Sequence, residues 1–214
     1  MSTALDRLRV QLGDVDNLIT HHSSGGAVGR PAADEGPLNR SCVVLTYAAW
    51  EVYAEDSLVW AAERVATRPT FASLPEATRQ FIADKAASDP ASLADDGWRE
   101  AVVEQVVLLT RGDPTTGDFG INTAGPRQLV SLHESILGDR LLNKVKWPKK
   151  DNESVKKSLL DLVRERGSIV HTGTPRGALH LKHVRDHRNF VERLAEGLDA
   201  EIEQWVTDAG ATLV

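Results

Sequence analysis

The 214-residue chain holds a single cysteine, Cys42, so no disulfide can form within it. That suits a reducing compartment, and the cytoplasm is the expected location. No run approaches the roughly 18 apolar residues that a membrane span needs, so no membrane partner is expected. Asp6, Arg7 and Arg9 interrupt the apolar residues of the first ten positions, which therefore do not read as a signal peptide. No segment alternates apolar and polar residues at the period of a strand, and no internal repeat is present. The glycines between Gly112 and Gly120 lack the pattern of a phosphate loop and its Lys-Ser/Thr pair, which removes the motif-based case for a nucleotide site.

What remains is helical periodicity. Leu5, Leu8, Leu12, Val15 and Ile19 predict a helix over 3–22. Residues 23–37 are rich in Gly, Ala and Ser, with Pro31 and Pro37, and predict a flexible connection. A second helix is expected over 38–67 and is bounded by Pro69. Shorter helices follow over 75–88 and 95–111, the latter capped by Asp95 or Asp96. An irregular loop occupies 112–124, and a further helix covers 126–143. A helix over 153–171, capped by Asn152 or Ser154, precedes a turn at 172–177. A long helix over 179–208 closes the chain. The fold expected is one all-α domain over 1–214, with long antiparallel helices and 68–124 as a helical insertion.

Hydrophobic residues are 41% and charged residues 26% of the chain, an ordinary globular balance. The net charge of −6 is unevenly spread. Residues 140–188 carry 13 Lys/Arg against 5 Asp/Glu, a balance of +8, and the rest carries 12 against 26, a balance of −14. A basic segment in an acidic chain is either a footprint for phosphate or a solvated face. Its candidates for RNA contact are Lys144, Lys146, Lys149, Lys150, Lys156, Lys157, Lys182 and Arg185. The five tryptophans read as core or interface anchors. Trp147 is the exception, because it lies among Lys144, Lys146, Lys149 and Lys150.

Arg166 and His171 stand five residues apart near the end of a helix, with Gly167 between them. Five is a poor match to one helical stripe, and a kink at Gly167 would bring the two together. An imidazole near neutrality moves the proton of a ribose hydroxyl or of a leaving oxygen, and a guanidinium holds phosphate oxygens. On spacing alone a plainer account prevails: a histidine at a helix C-terminus, and an arginine paired with Glu165 or Asp161.

The run Arg166-Gly167-Ser168-Ile169-Val170-His171-Thr172-Gly173 resembles the Arg-x4-His signature of the HEPN superfamily. The stretch from Cys42 to Tyr53, the stretch from Leu132 to Gly138 and the helix from Val184 to Trp205 are similar to the surroundings of that signature in the RiboL-PSP-HEPN branch. The resemblance implies a HEPN-like bundle that dimerises through its motif helices, so that two Arg/His pairs share one cleft. It implies a metal-independent endoribonuclease needing no cofactor, of the kind found in toxin–antitoxin and antiphage systems, with an antitoxin or defence partner. Arg166 would hold phosphate, His171 would be the acid/base, and Glu51 would orient either one. The position after the arginine is commonly Asn in the family and is Gly167 here, which keeps a non-catalytic, RNA-binding or interaction module open as the alternative.

His180, His183 and His187 share one helical face, but Lys182, Arg185 and Arg188 interleave with them and no cysteine or carboxylate cluster joins, so no metal site is expected. His21-His22 reads as a helix end, and Cys42 as a small buried side chain.

Overall fold

The longest uninterrupted helical signal becomes the centre of the protein. Helix α2 (Glu35–Val65) buries residues on every side, among them Cys42, Val43, Tyr47, Trp50, Tyr53, Leu58 and Val65. A helix apolar all round must be surrounded. Around it pack α1 (Thr3–Ser24), α4 (Gly97–Arg111), α6 (Asn152–Thr172) and α7 (Leu181–Asp208), while α3 (Glu76–Ala86) and α5 (Pro126–Leu137) pack on each other. The computed structural model describes residues 2–24, 35–67, 70–87, 91, 97–113, 115–117, 120–121 and 123–208. Among these residues there are seven α-helices and no strand, and buried apolar side chains of all seven helices form one cluster. The all-α bundle expected from the sequence is therefore what the chain adopts. No described helix is long and apolar enough to cross a membrane.

Polar pairs set the helix directions. Ser2 N–H donates to Asp199 (3.1 Å), Arg9 to Glu196 (2.8 Å) and Arg188 to Asp16 (2.8 Å), so α1 and α7 run antiparallel. Asp56 on α2, 10% exposed, accepts from Arg7 of α1 and Arg111 of α4, joining three helices at one carboxylate. The Tyr53 hydroxyl donates to the Ala195 carbonyl (3.0 Å), fixing α2 against α7.

Several local expectations need correction. The helix expected over 126–143 stops at Leu137. Gly138 takes a left-handed conformation (φ 70°), and its N–H closes the helix on the Glu134 carbonyl. A glycine needs no Cβ accommodation there and ends helices readily. The chain resumes as a 3-10 turn over Leu141–Lys144. The cap of α6 is Asp151, whose side chain accepts from Ser154 N–H, rather than Asn152 or Ser154. Helix α1 runs on to Ser24, and α2 begins at Glu35. Pro37 thus sits in a first turn, where its missing N–H has no partner to lose. The middle of the expected connection at 23–37 and the Asp95 and Asp96 caps lie outside the described residues.

Residues 68–124, expected as an insertion, contain α3 and α4. Helix α4 packs directly on α2 through Trp98, Val102 and Val106, so this segment contributes to the central core.

Candidate active site on helices α2 and α6

Helix α6 forms because Val155, Leu159, Leu162 and Ile169 recur on one face and bury against the bundle. Its C-terminus is closed by Gly173 (φ 73°), whose N–H bonds the Ile169 carbonyl (2.9 Å). Between those ends the helix passes through Gly167 without interruption. A lone glycine weakens a helix by only about 1 kcal/mol, and the buried stripe outweighs it. Five residues of unbroken helix separate Arg166 from His171 by about 7.5 Å of rise and about 140° of rotation. No hydrogen bond or ion pair joins the two side chains.

Arg166 turns toward α2. Its Nη2 lies 3.8 Å from Glu51 Oε2, and its guanidinium carbon lies 5.3 Å from the centre of the Tyr47 ring. Tyr47 and Glu51 are four apart on α2 and so share one face. The Glu51 side chain is 23% exposed and that of Arg166 31%, which makes this a half-buried pair. Burial pushes the Glu51 carboxyl above its ordinary range, opposed first by the Arg166 charge and then by the nearby Tyr47 hydroxyl. Burial and the Glu51 charge in turn push the Tyr47 phenol upward. The Tyr47 hydroxyl is buried without a hydrogen-bond partner among the described residues. Trp50 Nε1 donates to the Ala124 carbonyl (2.8 Å), which lays the segment before α5 against α2 at this level.

His171 is exposed in the last turn of α6. The backbone around it is pinned. Ser168 Oγ donates to the Thr174 carbonyl (2.9 Å), Thr172 Oγ1 donates to the Ser168 carbonyl (2.8 Å), and Arg176 N–H donates to Glu165 (3.3 Å). The imidazole is thus presented to solvent from a fixed turn. Val170, the residue before it, is 50% and Leu45 44% exposed, and a groove of about 490 Å³ is lined by Pro37, Arg40, Ser41, Val44, Leu45 and Ile169 but not by His171. A cavity of about 670 Å³ between α4 and α5 is lined by neither Arg166 nor His171.

The basic residues do not form one patch. Lys144, Lys146, Lys149, Lys150, Lys156 and Lys157 lie at or before the N-terminal end of α6. Lys182 and Arg185 open α7, beyond the other end of a helix about 30 Å long. Lys144 pairs with Asp139 (2.5 Å) and Lys156 with Glu153 (2.6 Å), which leaves those two less available for phosphate. Near Lys182, His180 N–H donates to His183 Nδ1 (3.3 Å), so one nitrogen of that face is already engaged. The His22 side chain lies outside the described residues.

Sequence reasoning missed the place of Tyr47 beneath Arg166, although its i, i+4 relation to Glu51 was a usable signal. No family model matches this chain, and no curated protein or solved structure matches it either. The likeness at 166–173 therefore rests on this chain's own residues.

One consequence of the pairing is measurable. In Arg166→Ala the Glu51 carboxyl is expected to titrate still higher, because the charge opposing the effect of burial is gone. A carboxyl-carbon NMR titration reads this directly, and an unchanged or lowered value would contradict the pairing.

Proposed function

We infer that this chain is a HEPN-type, metal-independent endoribonuclease that works as a homodimer on single-stranded or looped RNA. The setting is cytoplasmic toxin–antitoxin or antiphage defence, beside a neutralising or defence-system partner. The observation that carries this reading is Arg166, seated between Glu51 and Tyr47, on the same helix as an exposed His171 that has no hydrogen-bond partner among the described residues. The chemistry follows from those groups. An imidazole removes the ribose 2′-hydroxyl proton, and the 2′-oxygen attacks the adjacent phosphorus. The 5′-oxygen leaves with a proton from a second imidazole or from water. The Arg166 guanidinium compensates the charge that grows on the phosphoryl oxygens, while Glu51 and the Tyr47 ring hold its fork in place.

Because the two side chains diverge around α6, one protomer does not close the site. The exposed Leu45 and Val170 supply apolar side chains on which two copies can meet. A twofold contact there would bring one protomer's His171 toward the other's Arg166. RNA incubated with the protein in EDTA tests the reading. Oligonucleotides with 2′-hydroxyls are expected to be cut and 2′-O-methyl versions left intact; cleavage of both, or of neither, would refute it.

A second reading, a non-catalytic RNA-binding or interaction module, is favoured by that same divergence and by Gly167. A Cβ built on Gly167 meets nothing within 4 Å, so packing does not require glycine where the family commonly has asparagine. RNA binding without cleavage, by wild type in a confirmed dimer, would support this second reading.

A further inference from the structure

The tetrapeptide Trp147-Pro148-Lys149-Lys150 folds on itself before α6. Lys150 N–H donates to the Trp147 carbonyl (2.9 Å), and Trp147 N–H donates back to the Lys150 carbonyl (3.2 Å). Proline at the second position and a left-handed third residue suit such a turn, but that third residue is Lys149 (φ 70°), where glycine is usual. Lys149 is the one non-glycine residue with positive φ among those described. The turn is seated on α7 by Val145, which approaches Gly197 so closely that a Cβ there would lie 2.8 Å from Val145 Cγ1.

The seating creates a mixed aromatic and cationic surface. The rings of Trp147 and Phe190 lie 6.2 Å apart, both half-buried. Arg193 stands over the Trp147 ring (5.2 Å), and Lys150 lies near both Trp147 (5.9 Å) and Phe190 (4.9 Å). Lys149 in the turn and Lys146 just before it are exposed. None of Lys146, Lys149, Lys150 and Arg193 forms an ion pair with a described residue. The carboxylates nearby in sequence are engaged elsewhere: Asp139 by Lys144, Asp151 as the α6 cap, Glu153 by Lys156, Glu192 by Arg188 and Glu196 by Arg9. Two cations at two rings, with two more exposed lysines adjacent in sequence and none of the four in an ion pair with a described residue, call for an anionic ligand that also has flat apolar faces.

We propose that Trp147, Phe190, Lys150 and Arg193, with Lys146 and Lys149, form a platform for single-stranded RNA, on which a base stacks while the cations neutralise flanking phosphates. Unstacked bases supply π-faces to aromatic rings and guanidinium planes, and duplex RNA conceals them. The platform rests on the RNA reading of the preceding section and gives it a second contact. Trp147 stands five residues before the start of α6, and Arg166 lies fourteen residues along it, so about 21 Å of helix separates the α6 N-terminus from the candidate cleavage site. A strand held at the platform would be threaded toward Arg166 rather than cut where it is gripped.

The test is fluorescence anisotropy of a labelled oligouridylate in EDTA, in the full-length His171→Ala background so that binding is read without cleavage. Trp147→Leu is expected to weaken binding by about 5- to 150-fold, the loss of one stacked base. Lys150→Ala with Arg193→Ala is expected to reduce the slope of log affinity against log salt by about 1.4, two phosphate contacts at about 0.7 each. Lys149→Gly relieves the left-handed lysine, so it should keep the fold and its melting temperature while weakening binding; it separates a lost contact from a lost turn. Duplex RNA should respond to Trp147→Leu far less than the single strand. Unchanged oligouridylate affinity in both the tryptophan and the double variant would overturn the platform. So would losses confined to phosphatidylserine vesicles, which would reassign the patch to a lipid surface. If the patch variants lose binding while wild type cuts nothing, the nuclease reading falls and the platform stands. If wild type cuts RNA while the patch variants bind normally, the platform alone falls.

Discussion

His171→Ala is expected to lower the rate of RNA cleavage by about 10²–10⁴-fold, the usual contribution of a positioned general acid or base. The side chain is exposed in the last turn of α6 and makes no hydrogen bond to a described residue, so its removal should leave thermal stability within about 0.5 kcal/mol of wild type. Loss of activity without loss of fold is what distinguishes a reacting group from a structural one. Arg166→Ala should cost about 10²–10³-fold by removing the charge that meets the phosphoryl oxygens. It should also disturb the fold slightly more, because it leaves the half-buried Glu51 carboxylate without its cation. Single-turnover cleavage with melting curves on the same samples separates these effects. Cleavage by His171→Ala at the wild-type rate would remove His171 from the chemistry.

The second large effect concerns stability in acid and lies away from the candidate site. His133 on α5 is fully buried, and neither ring nitrogen has a hydrogen-bond partner among the described residues. Burial pushes its imidazole down to about 4 from an ordinary 6.5, only partly opposed by Asp139. A histidine whose folded value is depressed contributes stability that is complete above about pH 6.5 and is lost as the pH falls toward about 4. The unfolded chain takes up the proton that the folded one refuses. The loss from this residue amounts to about 3 kcal/mol. Half-buried Glu51 and Glu55 and buried Asp199 work against it, since raised carboxyl values favour the folded state as the pH falls. The comparison that isolates the histidine is therefore wild type against His133→Leu. In urea unfolding the variant should be the more stable by about 1 kcal/mol at neutral pH, where an unbonded buried N–H is removed. The gap should widen by a further 2–3 kcal/mol as the pH falls from about 6.5 to about 4. A gap that stays constant with pH would mean that the imidazole is solvated or bonded in the native state.

Much of this architecture was legible from helical periodicity. Helices α1, α2, α6 and α7 have strong apolar stripes or apolar surfaces long enough to outlast local noise, and they lie within a few residues of where the pattern puts them. The pattern was weaker as a guide to where helices end. Leu141 and Leu142 continue the apolar period of α5 into the core, yet Gly138 had already ended the helix. Periodicity reports which residues are buried, and the backbone at one glycine decides whether the helix that carries them is continuous. Gly167 is the opposite case: a potential breaker that the buried stripe of Val155, Leu159, Leu162 and Ile169 overrides.

The site was legible in part. Glu51 and Arg166 were nominated on separate helices, and the fold brings them within 3.8 Å. The contact of Tyr47 with Arg166 was hidden because the two lie more than a hundred residues apart; only its i, i+4 relation to Glu51 is a local signal for it. Phe190 and Arg193 were hidden for the same reason: they meet Trp147 only when α7 folds across the turn. The basic segment was legible only as a composition, not as an arrangement. Residues contiguous in sequence need not be contiguous in space, and the length of α6 divides the basic residues between two ends of the helix.

The chemistry assigned to Arg166 and His171 has a signature in its products. Attack by a ribose 2′-oxygen leaves a 2′,3′-cyclic phosphate on one fragment and a free 5′-hydroxyl on the other. Mass spectrometry of fragments made in EDTA should show those two ends. Fragments with 5′-phosphates and 3′-hydroxyls, or cleavage that ceases on chelation, would contradict the account.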